Sequence, residues 1–322
     1  MGQLIVNPKT YTGQESEEIF IRPSFVGENA QALGIRVLHN LPVNTTLNFY
    51  QRATGTLKPW AKGFEGGELA KKYQKTIAMA KAKVEMGMSP EDYFNTIQEK
   101  VVNSANVNLG DLSATQLASI EDNLFREFIA EAARLTMWVG DTTGTLSEHT
   151  LFDGFIKKAS SYADAVKTSL SAPTKSNIKA AFDNVWAKAS ETLRSLKSTG
   201  KLCYYVTSDV YNAYQDYLDG FTNTAAYGDI QNGRAVLNYH GIEIKEIGAE
   251  SQMKSAQKQS VIILTHKENL VFALNVKDMP GNTIDVWYDK NEIENRFRAS
   301  FLASAEILDE SLVVFASTKV TA

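Results

Sequence analysis

The sequence predicts an α+β chain, and three observations carry that expectation. Short apolar runs with a two-residue period alternate with turn residues over positions 237–315. Apolar residues recur at three- and four-residue steps over 113–140 and again over about 176–197. Strand-forming stretches at 35–50 and 73–86 flank a Gly- and Lys-rich loop at 51–67. With 322 residues, 43% of them hydrophobic, the chain can bury a sizeable core in one or two domains.

Taken in order, residues 3–32 mix turn residues with isolated apolar groups, Ile19, Phe20, Ile21, Phe25 and Val26, and hold no sustained period. That is the pattern of an extended arm. After the loop around Trp60, residues 76–84 admit a helix on propensity and a strand on alternation. Thr76, Ala78, Ala80, Ala82 and Val84 are uncharged while Lys75, Lys81, Lys83 and Glu85 share the other parity, which favours the strand. Ser89, Pro90, Glu91 and Asp92 have the order of an N-cap, a first helical residue and an acidic first turn.

The capping box from Ser113 to Gln116 opens a longer helix of about seven turns. Leu117, Ile120, Leu124, Phe128, Ala132, Leu135 and Val139 line its face, and Gly140 ends it. A second amphipathic helix carries Ile178, Phe182, Val185, Ala189, Leu193 and Leu196 and stops at Gly200. A strand at 201–206 follows, then a helix from Ser208 carrying Tyr211, Tyr214 and Leu218. His240-Gly241 reads as a hairpin turn, and the strand at 261–264 runs into a capping box from Thr265 to Glu268. The final antiparallel set places Ile284, Val286 and Tyr288 on one face and Phe297, Ala299, Phe301 and Ala303 on another, with a third strand at 312–315.

Several classes of chemistry are disfavoured. The net charge is −4, and the 33 Lys and Arg residues are distributed along the chain, so no sequence-reading nucleic-acid binder is indicated. The single cysteine, Cys203, forms no internal disulfide and sits in an apolar strand. His39, His149, His240 and His266 are scattered without metal-ligand spacing. Glu148-His149 near Asp141 is the best metal candidate, against the commoner reading of a solvated loop after a helix. No nucleophile elbow, phosphate loop or dinucleotide fingerprint is present, and Gly63 to Gly67 reads as a flexible loop. Tyr204, Tyr205, Tyr211, Tyr214 and Tyr217 fit core packing and helix surface better than base stacking. The expectation is no catalytic, cofactor or metal residue, and no membrane segment.

A family resemblance rests on particular phrases. Phe152-Asp-Gly-Phe, Tyr205-Val-Thr-Ser-Asp-Val-Tyr-Asn-Ala-Tyr, Tyr239-His-Gly-Ile, Asn269-Leu-Val and Val286-Trp-Tyr-Asp occur in that order behind a long loop and a long helix ending at Gly140-Asp141. This arrangement resembles a tailed-phage major capsid protein of the Hong Kong 97-like fold over nearly the whole chain. The resemblance implies an N-terminal arm at 1–34 and an extended β loop with its flanks at 35–112. It implies a spine helix of the peripheral domain at 113–149, an axial domain at 150–280 and C-terminal strands of the peripheral domain at 281–322. The implied function is structural: self-assembly into pentamers and hexamers of an icosahedral shell enclosing phage double-stranded DNA, in the virion and, during assembly, the host cytoplasm. The implied partners are other copies of the chain, a scaffolding protein, a portal, packaged DNA held without sequence preference and possible decoration proteins. An arm retained in the virion, with scaffolding supplied separately, is also expected. Two alternatives are an encapsulin-type nanocompartment shell and a cytosolic metal-dependent hydrolase using the His149 region.

The residues also bear on assembly by themselves. Leu57, Trp60 and Phe64 in the loop, and Ile19, Phe20 and Phe25 in the arm, have no evident local partner. A large apolar side chain left in water forfeits roughly 1.5 to 3 kcal/mol. Folding back on the same domain and exchange between subunits both remove that cost, and the resemblance favours exchange.

Overall fold

The computed structural model describes residues 9–11, 30, 32–39, 41, 45–52, 59–63, 70–88, 129, 131–144, 149–219, 237–249, 259–275, 284–289, 291–292 and 294–320. The early strands are β1 (Lys9–Tyr11), β2 (Arg36–His39), β3 (Thr45–Arg52), β4 (Ala70–Ile77) and β5 (Ala80–Met88). The middle of the chain holds β6 (Val166–Ser169), β7 (Leu202–Val206), β8 (Asn238–Tyr239) and β9 (Ile242–Glu246). The last strands are β10 (Val261–His266), β11 (Leu270–Asn275), β12 (Ile284–Asp289), β13 (Glu294–Ile307) and β14 (Val313–Ser317). The helices are α1 (131–139), α2 (Phe155–Ser161), α3 (Ile178–Lys188), α4 (Glu191–Ser195) and α5 (Ser208–Asp219).

The 14-residue β13 organises the first sheet. Phe297, Ala299, Phe301, Ala303, Ala305 and Ile307 alternate into the main core with Trp138 and Phe155, because side chains on a strand point to opposite faces at every step. Along one edge β5 pairs from Asn295↔Met88 to Ala303↔Ala80. The other edge is shared: β12 takes Glu294 to Arg298, and β11 takes Leu302 to Ile307. Beyond them lie β1 on β12 and β2, parallel, on β11.

The strand reading of β5 holds, with Ala82 buried and Lys81, Lys83 and Glu85 exposed. The expected parity does not extend back through β4, where Ile77 and Met79 are buried while Thr76 and Ala78 are exposed. The chain changes face between the two strands. Ile77 and Met79 therefore pack with Val271, Ala273 and Leu302 in a small separate cluster.

The second sheet runs β6-β14-β10-β7-β9-β8. Every residue of β7 and β14 is buried, as expected of strands covered on both faces. Tyr204, Val206, Ile262, Leu264, Val314 and Ala316 share a core with residues of α3 and α5, while Cys203, Tyr205, Ile263, Val313 and Phe315 join the core that holds Trp138. His240 (φ 51) and Gly241 (φ 74) form the expected tight turn, both in the left-handed region that a primed hairpin turn requires.

Four expectations need correction. The helix placed at 176–197 breaks: Ala189 is extended, Ser190 caps α4 by accepting from Leu193 N at 3.2 Å, and a 3-10 turn at Leu196–Thr199 ends on left-handed Gly200. A serine followed by an acid is a better helix start than a helix interior, and the predicted apolar face stays buried from Ile178 to Leu193, with Leu196 half-buried. The cap at Thr265 moves by one residue, since His266 Nδ1 accepts from Glu268 N at 3.2 Å and Thr265 Oγ1 donates to Leu312 O at 2.9 Å. The strand expected at 312–315 beside β12 and β13 belongs instead to the second sheet, between β6 and β10. Conversely β11, inside the stretch expected to be axial, joins β13, so sheet membership crosses the boundaries drawn at 150–280 and 281–322.

Of the long helix, residue 129 and the turns at 131–139 are described, and both the rest of it and the helix expected from Ser89 lie outside the described residues. Its end is fixed by close backbone approach. Gly154 N donates to Gly140 O at 2.8 Å, and a Cβ at Gly140 would stand 2.2 Å from Phe152 O. Only glycine fits there.

Candidate assembly surfaces

β3 and β4 form a two-stranded antiparallel ribbon, in register from Thr45↔Ile77 to Arg52↔Ala70, and neither strand joins a six-stranded sheet. Cross-strand contacts, Thr46 Oγ1 to Thr76 Oγ1 at 3.1 Å and Gln74 Nε2 to Asn48 Oδ1 at 2.9 Å, reinforce the ladder. An isolated two-stranded hairpin is marginally stable in water, so the ribbon needs support at its base or from another molecule.

The base is supported. Leu47 packs beside Ile77 on the small cluster. Lys75 Nζ donates to Glu310 Oε1 at 2.8 Å, lies 3.7 Å from Glu306 Oε1 and sits 4.2 Å from the centre of the Tyr162 ring. Glu306 is 4% exposed; it accepts from Lys158 Nζ at 2.6 Å, from Tyr162 OH and from Ile307 N at 3.1 Å. Burial first, and then the Glu306 charge and hydrogen bond, push the Tyr162 phenol well above its ordinary value. The ribbon, α2, β13 and the turn before β14 thus meet at one ionic junction.

The far end of the loop has no such support among the described residues. Pro59 to Gly63 are all exposed, and Trp60 is 92% exposed. Tyr73, on β4, is the other exposed large apolar group among the described residues, at 44%. Of the expected interface residues only Trp60 can be located; Leu57, Phe64, Ile19, Phe20 and Phe25 lie outside the described residues. Sequence reasoning missed Tyr73 and the Glu306 junction. Glu306 follows the alternation of β13 and so reads as a solvent-facing position, with nothing nearby in sequence to betray Lys75, Lys158 and Tyr162.

In the His149 region the described candidate ligands are engaged with other groups. The His149 ring is buried with Nδ1 3.0 Å from Thr136 Oγ1, while the Asp141 carboxylate accepts from Thr143 N, Thr143 Oγ1 and Lys157 Nζ. Burial opposes ionisation of Asp141, and the hydrogen bonds from Lys157 and Thr143 outweigh it and hold the carboxyl below its usual range. Glu148 lies outside the described residues, among which no group of three or more His, Cys, Asp or Glu is disposed to hold an ion.

Cys203 is fully buried, and burial pushes its thiol up to about 12. A thiol raised that far stays protonated at neutral and mildly alkaline pH, and the thiolate is the reactive form. Native protein is expected to resist an aromatic disulfide reagent at pH 8 and to react fully once unfolded in guanidinium. Rapid reaction of one thiol in the folded chain would contradict the burial.

No protein-family model matches the chain. No curated protein sequence matches it either. Solved structures do. Similarity extends over 89% of this chain and 85% of a chain from Gordonia phage Cozz (TM-score 0.54, 11% identity). It extends over 96% of this chain and 92% of one from the satellite phage P4 procapsid that includes the size determination (Sid) protein (TM-score 0.57, 8% identity). A chain of the capsid of the native GTA particle matches over 98% of this chain and 96% of its own length (TM-score 0.51, 12% identity). The fold is the Hong Kong 97-like capsid fold. At identities of 8 to 12% the capsid fold is what is shared, and the roles of Trp60, Tyr73 and the Glu306 junction are read from this chain alone.

Proposed function

We propose that the chain is the major capsid protein of a tailed double-stranded DNA phage or prophage. It self-associates into pentamers and hexamers of an icosahedral shell, with a separate scaffolding protein and a portal as assembly partners and DNA as the packaged content. Its role is structural, and its working state is the virion capsid, reached through assembly in the host cytoplasm. One observation carries the reading beyond the fold: a ribbon with no strand neighbour in either sheet among the described residues, anchored at its base, holds Trp60 almost wholly in water. A tryptophan held in that position is stabilised when a neighbouring copy covers it. Residues 1–34 as an arm and residues 57, 60 and 64 of the loop are assigned to contacts between copies.

Purified full chain, concentrated over a range of salt with a crowding agent, is expected to yield capsomers or closed shells by light scattering and negative-stain electron microscopy. A compact monomer under every condition overturns the proposal. Particles recovered from cells with protein cargo and no nuclease-protected DNA would favour a nanocompartment shell instead.

A further inference from the structure

The basic residues are distributed along the chain, and one covering layer of the fold is among its basic stretches. Between Lys167 and Lys201 there are seven Lys and Arg residues against two acids, Asp183 and Glu191, within a chain of net charge −4. This stretch builds the cover over one face of the second sheet. Ile178, Phe182, Val185 and Leu193 are buried beneath it, and Lys175, Lys179, Lys188 and Lys197 are exposed. Two of the cations are neutralised, Lys179 by Asp183 at 2.7 Å and Lys201 by Glu268. None of the described carboxylates lies within ion-pair distance of Lys175, Lys188, Arg194 or Lys197.

The layer also holds a half-buried aromatic with cations about it. Arg194 donates to Trp186 O at 3.1 Å and to Ala187 O at 2.6 Å, which fixes its guanidinium 5.9 Å from the centre of the Trp186 ring. Lys197 Nζ lies 5.8 Å from the same centre, and the His240 ring lies 6.0 Å away. These contacts hold positive charge on the outside of the layer. No large apolar side chain is exposed on the described residues of this layer, so it offers a peptide no hydrophobic anchor.

We propose that this layer is a docking surface for the phosphate backbone of double-stranded DNA, contacted without reading sequence. A duplex carries about one charge per 1.7 Å of its axis, and a rod of that charge density can engage Lys175 and Lys188, which flank the two ends of α3, together with Lys197. The choice of DNA as the polyanion rests on the capsid reading; the cation layer does not.

The test uses unassembled full chain and a labelled random-sequence duplex, with anisotropy titrations between about 50 and 200 mM salt. Replacing Lys175, Lys188 and Lys197 together by glutamine is expected to weaken binding at least tenfold at the low-salt end. The salt slope of log K should fall by about 2.7, at roughly 0.9 per lost phosphate contact. A charge-matched control, Lys72→Gln with Lys81→Gln and Lys83→Gln on β4 and β5, is expected to keep both affinity and slope. Equal losses in the two variants would reduce the effect to net charge and overturn the assignment. So would absence of DNA binding by the native chain at low salt, or tighter binding of a polyglutamate peptide than of the duplex, which would make the layer a docking site for an acidic protein. Particle yield, measured in parallel, keeps the two readings apart: native chain that binds DNA through these lysines but never assembles defeats the capsid reading alone.

Discussion

Trp60→Ala is expected to leave the unassembled subunit folded and to cut particle yield severalfold or more. The side chain is 92% exposed, so its removal creates no cavity, and the buried groups of α1 and α3, Leu135, Trp138, Ile178 and Phe182, do not depend on it. A substitution at such a position ordinarily changes subunit stability by less than about 0.5 kcal/mol. At an interface the same tryptophan is the residue type whose truncation most often costs about 2 kcal/mol or more per contact, and a closed shell repeats the contact in every subunit. Circular dichroism and thermal melting of the subunit, with sedimentation of assembled particles, separate the two effects. Unfolding of the variant would assign Trp60 to its own core, and unchanged yield with unchanged particle stability would remove the loop from the interface.

Glu306→Ala is expected to have the opposite profile, destabilising the subunit itself by about 3 kcal/mol. The carboxylate is almost wholly enclosed, and its loss strands Lys158 Nζ and the Tyr162 hydroxyl in surroundings that offer little water. Lys75→Ala is a smaller change, about 1 kcal/mol, because Glu306 keeps Lys158 and Tyr162 as partners and Glu310 is left partly open to water. Glu306→Gln, which keeps an acceptor for Tyr162 but not the charge, should fall between them. Chemical denaturation of the three variants reads the order directly. A Glu306→Ala subunit as stable as the native one would mean that the junction contributes nothing to holding the ribbon base.

The α+β class was legible because β5 and the first part of β13, from Arg296 to Ser300, bury one face, and a strand with one dry face writes its alternation into the sequence. Sheet membership was not. β14 and β11 are buried along their whole length, and a short continuous apolar run fits any sheet, so nothing in Val313 to Ser317 distinguishes a neighbour of β10 from a neighbour of β13. The face reversal between Met79 and Ala80 was hidden for a related reason, since alanines stand on both sides of it and tolerate either environment. At the candidate surfaces, Trp60 was legible as a bulky group between Pro59 and a Gly-rich stretch. The junction around Glu306 was not, because its four charged members come from positions 75, 158, 306 and 310, and only the folded chain brings them together.

The position of β14 also bears on when the subunit can become a building block during its own synthesis. β6 has its sheet partner, and β10 its second one, only in a strand made about 150 residues after β6, and the first sheet likewise waits for β13 to join β5 to β11 and β12. A nascent chain still on the ribosome therefore holds two unfinished sheets with bare edges, which are sticky toward other chains. Both close within a span of 24 residues, from Glu294 to Ser317, so an incomplete chain becomes a complete fold only once that one stretch is free to pair.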